Sequence, residues 1–464
     1  MNKIEDVLKV YEQSKSIFLE GLKELVRIPS VSFSGFDPKQ VELSAHKVAD
    51  LMKRNGLENI QVLPFEGAHP YVYGEWLHAP GLPTLLLYAH HDVQPPGREG
   101  LWKSPPFEPT EREGRLYGRG AADDKAGVIC HLAAISSFLK SRGELPLNVK
   151  LIVEGEEEIG SEHLEGFLKS HRELLQADVM VLTDTANFDV GIPALTVALR
   201  GLVAVEVEVR SLKSSIHSGM WGGPLPDPIL ALAKMLGGLV DDKGAPALPG
   251  LMKSVRPLSP DQKEMLGSLD FNEETFRKQA GFIPTSKIVG GPSDVFSKMW
   301  YLPSIDVNAI EAGSRKMAAN IICDTAWAKV GIRIVPDMDP GETLTLLTDY
   351  LKKSAPWGVE VKVTNESAGG WWSTTPTGPA FDAARVALEK GYGRKPVMMG
   401  SGGSIPFVQP FSDALGGAPA LLIGVEDPYT NAHSENESLH IEDWEKACRS
   451  AIYLYDELAV KLRI

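Results

Sequence analysis

A chain of 464 residues exceeds what one hydrophobic core ordinarily supports, so two domains, or one domain interrupted by a large insertion, are expected. Its 43% hydrophobic and 23% charged residues are plain globular composition, and no apolar run nears the roughly 20 residues that span a bilayer. The net charge of -14 lacks the basic footprint that nucleic acid or an anionic membrane demands, which excludes both as partners.

The N-terminal stretch mixes Glu and Asp with Lys, unlike a secretory signal. Cys130, Cys323 and Cys448 are scattered through apolar patterns with no Cys-x-x-Cys pair and read as buried thiols of a reducing compartment. A cytoplasmic protein is the expectation.

Apolar spacing marks residues 4–26 and 38–55 as helices, and 60–63 and 71–76 have strand character. Residues 83–89 form a continuous apolar run, the pattern of a strand buried on both faces, and it ends directly in His90-His91-Asp92. His90 and Asp92, two apart at a strand end, project to one side, where an Asp beside a ligating His fixes its tautomer. His91, between them, is expected to be satisfied by hydrogen bonds. A proline-rich surface loop over 102–109 leads to Gly118-Arg119-Gly120-Ala121-Ala122-Asp123-Asp124-Lys125, followed by a helical pattern over 127–139.

The next buried run, 147–153, ends in Glu154-Gly155-Glu156-Glu157-Glu158. Carboxylates clustered at a buried strand end repel one another unless a cation or proton neutralises them. Residues 177–182 form another strand and deliver Asp184. Chemistry in open α/β sheets collects at such carboxyl ends.

From 194 the pattern changes. Strands over 195–199, 202–209, 304–310, 326–334 and 359–363 alternate with helices over 228–239 and 342–353, while 250–300 looks irregular. This predicts a small α+β domain inserted over residues 200–370, with 1–199 and 371–464 forming a parent α/β domain. The parent pattern resumes with a helix over 380–390, strands over 396–399 and 418–425, and a helix over 441–462, and it carries His433 just past a buried strand.

A two-metal hydrolase needs His and carboxylate ligands, one of them bridging, and a free Glu as general base. The ordered set His-x-Asp at 90–92, Gly-Arg-Gly-x-x-Asp-Asp-Lys at 118–125, Glu-Gly-x-Glu-Glu-x-Gly-Ser at 154–161, Asp184, Ile-His-Ser-Gly at 216–219 and Ala-His-Ser-Glu-Asn-Glu at 432–437 resembles the M20 metallopeptidases. It is most similar to their cytosolic non-specific dipeptidase and carnosinase branch. The resemblance implies a zinc-exopeptidase-like α/β domain, with a mixed central sheet flanked by helices, and an inserted lid and dimerisation domain. It implies His90 and Asp184 on one cation, Glu158 and His433 on the other, Asp123 bridging through a cis peptide to Asp124, Glu157 as general base and Asp92 orienting His90.

The resemblance also assigns His217 to oxyanion stabilisation, often in a partner subunit's site, and Arg333 to a substrate carboxylate. Gly402, Gly403 and Ser404, before Ile405-Pro406, offer backbone amides to that carboxylate at a helix start. Relatives in the eukaryotic branch typically carry Arg-Glu where this chain has Gly400-Ser401, a departure that bears on substrate specificity.

The implied protein is a homodimeric dipeptidase using two divalent cations, Zn2+ first and Mn2+ or Co2+ next. N-acyl amino acids are the alternative substrates. A non-catalytic scaffold is disfavoured because all five ligands, the base and His217 are present. Neither a Gly-x-Ser-x-Gly elbow nor a His-Glu-x-x-His motif occurs.

Overall fold

The computed structural model describes residues 4–316, 318–405 and 408–463. It forms two compact units, one from Met1–Val197, Thr375–Met399 and Pro406–Ile464, the other from Ala198–Thr374 and Gly400–Ile405.

The first unit is built on a sheet whose central strands are parallel. Thr84–His90 lies between Asn148–Glu154 and Val179–Leu182, and Ala420–Ile423 runs parallel to the last of these. Tyr71–Trp76 and Glu58–Leu63 extend one side antiparallel, while Ala194–Leu199 pairs antiparallel with Ala420–Ile423 on the other. Every residue of Asn148–Glu154 is buried, as is all of Thr84–His90 beyond its first residue, which is why both read as unbroken apolar runs.

Helices cover the sheet. Ile4–Val26 buries Val7, Tyr11, Phe18, Leu22 and Leu25, an apolar stripe at helical spacing. Lys125–Arg142 is buried from Lys125 to Phe138 and ends where Gly143 takes φ +72°. The closing helix Ile441–Lys461 packs against Pro379–Tyr392 and Lys125–Arg142. Because four parallel strands share a direction, their carboxyl ends bring separate loops to one edge.

The second unit is an antiparallel sheet in the order Ser304–Glu311, Thr325–Ile334, Gly201–Arg210, Glu360–Gly369. Val203, Val205, Val207 and Val209 alternate into its core with Ala328, Val330 and Ile332. Helices Pro228–Gly237 and Pro340–Lys353 pack on it, capped by Asp227 and Asp339 with proline in the first turn.

Three expectations need correction. Residues 250–300 are not irregular: they contain Leu251–Ser254, Pro260–Gly267, Glu273–Gln279 and Val295–Trp300 as short helices. Ser259 and Gln262 form a capping box and Asn272 caps Thr275, but the two middle helices bury no residue, so no apolar period announces them. Cys130 and Cys448 are buried, whereas Cys323 is only half-buried. Finally, Gly400–Ile405 belongs to the second unit, held there by contacts described below.

Candidate metal centre

At the edge of the first unit, His90 is fully buried at the end of its strand, with Nε2 3.0 Å from Asp123 Oδ1 and 3.9 Å from Asp184 Oδ1. His433 comes from the other end of the sequence. Its Nε2 lies 3.2 Å from both Asp123 Oδ2 and Glu158 Oε2, and its backbone takes φ +61°. Asp123 thus touches a histidine with each oxygen, is 6% exposed, and is joined to Asp124 by a cis peptide.

Among the described residues, single donor atoms fall into three groups, each within 4.8 Å: His90–Glu157–Asp184, Asp123–Glu158–His433 and Asp123–Asp184–Glu426. Imidazole nitrogen with carboxylate oxygen is a donor set suited to divalent zinc, manganese or cobalt, so these residues fit such cations.

Glu154 at the end of its strand and the three glutamates just beyond it divide between two directions. Glu154 accepts from Tyr88 Oη at 2.6 Å, and Glu156 accepts from Tyr71 Oη at 3.1 Å and the His163 amide at 3.0 Å, so both are anchored inside the fold. Glu157 and Glu158 face the histidines instead. Their turn is fixed by Asp92, whose Oδ1 accepts from the Glu157 amide at 3.2 Å and whose Oδ2 accepts from Glu158 at 3.1 Å and Ser32 Oγ at 2.7 Å. Asp92 Oδ1 also lies 3.4 Å from His90 Nδ1, and the Asp92 carbonyl oxygen lies 3.1 Å from the same nitrogen.

The crowded charges perturb one another. Burial, then the charges of Glu158 and Asp123, hold the Glu157 carboxyl well above the ordinary carboxylate range despite His90. Burial would also raise Asp123, but His433 and His90 outweigh it and keep that carboxylate ionised. Burial alone would lower His433, yet Asp123 and Glu158 push it up to about 11.

Glu437, the last residue of the Ala-His-Ser-Glu-Asn-Glu motif and not among the expected site residues, ties the halves together. Fully buried, it accepts from the amides of Gly120, Ala122 and Asp123 at 2.9, 3.0 and 3.2 Å and from Arg119 Nη1 at 2.6 Å. The signal was present, since Arg119 and Glu437 belong to the two quoted motifs. His91 is buried with Nε2 3.1 Å from the Pro70 carbonyl oxygen, while its Nδ1 has no hydrogen-bond partner among the described residues.

The second unit carries the remaining expected residues. Arg333 Nη1 donates to Ser404 Oγ at 2.9 Å, and Arg200 donates from Nε to the Gly402 carbonyl at 3.1 Å and from Nη1 to Ser304 Oγ at 3.1 Å. Burial and the neighbouring Arg333 push Arg200 down to about 10. Arg200, absent from the expected set, makes this corner doubly cationic.

The Gly403 amide is not free as expected, because it donates to Ser401 Oγ at 3.2 Å. Pro406 lies outside the described residues, and the next helix is Val408–Ala414. A Cβ on Gly400 would fall 2.5 Å from Trp300 Cβ, so a side chain at this position has no room unless Trp300 moves. His217 is exposed, its Nδ1 accepting from the Gly219 and Met220 amides at 3.0 and 3.3 Å.

Histidines and carboxylates gathered at parallel strand ends, with a glutamate on a rigid turn beside them, define a two-metal hydrolase. Residues 86–457 match the peptidase family M20/M25/M40, and the chain belongs to that family. It is an amide-bond hydrolase, and peptidases of this family bind a dinuclear metal centre. The chain is 34% identical to a cysteinylglycine-S-conjugate dipeptidase of Corynebacterium striatum over 77% of each chain. Against a Beta-Ala-His dipeptidase of Rattus norvegicus it is 30% identical, over 94% of this chain and 92% of that one. The solved structure of the dipeptidase Dug1p of Saccharomyces cerevisiae superposes with a TM-score of 0.89 at 27% identity, covering 98% of both chains. Among the described residues, no helix is long and apolar enough to cross a membrane.

Proposed function

We propose that this chain is a cytoplasmic two-metal dipeptidase, and the observation that carries the reading is Asp123 reaching His90 with one oxygen and His433 with the other. His90 and Asp184 would hold one divalent cation and Glu158 and His433 the second, with Asp123 shared between them. Zn2+ is the first choice for this mixed nitrogen and oxygen set. When bound, such cations lower the pKa of water and polarise the scissile carbonyl.

The protein residues do the rest. Glu157, whose carboxyl is held above its ordinary range, takes a proton from the attacking water and returns it to the leaving amine. Asp92 orients His90 and fixes the turn that aims Glu157. Arg333 with Gly402 and Ser404 receives the substrate carboxylate, Arg333 being the cation and Ser404 its hydrogen-bonded companion, while the Gly403 amide is engaged by Ser401. His217 stabilises the oxyanion in a homodimer, a role supported by the exposed Met220, Trp221 and Ile321 around it.

Relatives named for cysteinylglycine conjugates and Beta-Ala-His favour dipeptides over N-acyl amino acids. Metal-reconstituted enzyme assayed on Cys-Gly, β-Ala-His and N-acetylated amino acids should hydrolyse the dipeptides. Glu157→Gln should lose about 10²–10⁴ in kcat while keeping its cations. Dipeptide hydrolysis surviving exhaustive metal removal, or a fully active Glu157→Gln, would refute the proposal.

A further inference from the structure

We infer that Glu426 is a further protein ligand of the cation held by His90 and Asp184, an inference that rests on the two-metal reading above. The backbone argues first. Ala420–Ile423 runs parallel to Val179–Leu182 with Leu422 opposite Leu182, and beyond the strand ends the register continues as a bridge between Ala186 and Glu426. The Asn187 amide donates to the Glu426 carbonyl at 2.9 Å, and the Glu426 amide to that of Thr185 at 3.4 Å.

Gly424 permits this approach. A Cβ there would lie 2.5 Å from the Thr185 carbonyl oxygen and 2.5 Å from the Ala186 carbonyl carbon. The chain is therefore pinned against the segment that carries Asp184, two residues before the bridge.

The side chain completes the case. A Glu426 carboxylate oxygen, an Asp123 oxygen and an Asp184 oxygen all lie within 4.8 Å of one another, and both of those aspartates are already paired with His90. Among the described residues the Glu426 carboxylate has no hydrogen-bond or ion-pair partner of its own. The charge of His433 reaches Glu426, but those of Asp123 and Glu437 act against it, and a half-buried carboxylate facing two others with no ion-pair partner in contact is unfavourable unless a cation is the partner. Glu426 makes the His90 position richer in oxygen donors than the His433 position, so the two cations differ in their ligands.

The test uses the full chain. Wild type, Glu426→Gln and Glu426→Asp are stripped of metal, checked for folding by circular dichroism, and titrated with Zn2+ against a chromophoric chelator. Wild type is expected to bind two ions per chain. In Glu426→Gln, which keeps the shape and removes the charge, one site should weaken about tenfold or more while the other stays within twofold. Glu426→Asp should fall between them. Both sites within twofold of wild type in Glu426→Gln would overturn the inference, including the case in which only KM for a dipeptide rises, which would give Glu426 to the substrate ammonium group. Wild type binding fewer than two ions would defeat the two-metal reading, and this inference with it.

Discussion

Arg119 is 1% exposed and would be intolerable there as an unpaired charge, yet its guanidinium meets the Glu437 carboxylate at 2.6 Å. The same carboxylate takes three amides of the loop that ends at Asp123, so one side chain from the far end of the sequence sets where Asp123 points. Removing it exposes the full desolvation cost of Arg119. Glu437→Ala is therefore expected to destabilise the protein by about 3–5 kcal/mol in urea denaturation and to weaken cation binding in the same preparation. A variant within 1 kcal/mol of wild type would mean that water replaces the carboxylate at Arg119.

Among elements, the strand ends show what the sequence makes legible. Thr84–His90 and Asn148–Glu154 stand out because burial on both faces removes the polar alternation, and the residues following such runs are marked by position alone. Local spacing also pairs His90 with Asp92. Nothing local says that Asp92 caps the Glu157–Glu158 turn, because that contact joins loops after different strands. Glu426 escapes notice for the same reason: the strand before it is visible, but Asp184, whose carboxylate it approaches, follows another one.

Three-residue strands such as Arg115–Tyr117 and Ser438–His440 are too short for any period to register. The Asp92 contacts carry a prediction of their own. Asp92→Asn keeps an acceptor for Ser32 and one amide but removes the charge beside His90. Cation affinity should fall about 10–100-fold in a chelator competition while the urea midpoint moves little. Unchanged affinity would show that the Asp92 backbone carbonyl alone orients the ring.

Over the whole molecule the titratable rings are unevenly shared: of 11 histidines, only His217 lies in the second unit, and it is exposed. The first unit buries His91 and His131, and burial pushes both down to about 4, against hydrogen bonds to the Pro70 and Tyr88 carbonyls that work the other way. In the unfolded chain each ring protonates near its ordinary value of about 6.5. Between those values the unfolded state binds the extra proton, so the stability given by a neutral ring is complete above pH 6.5 and is lost as pH falls to 4.

For His131 the loss is on the order of 3 kcal/mol. Buried carboxyls titrate in the opposite sense, since burial pushes Asp124 and Glu154 up to about 8 and their protonation favours the folded state as pH falls. The wild-type curve alone therefore mixes two signs, and the difference from His131→Gln separates them. Urea denaturation of both proteins, stripped of metal, should show the advantage of wild type over His131→Gln shrinking by about 2–3 kcal/mol between pH 7.5 and 4.5. A difference that stays constant across that range would mean the ring reaches water or a carboxylate on protonation, and that burial beside Tyr88 does not hold it neutral.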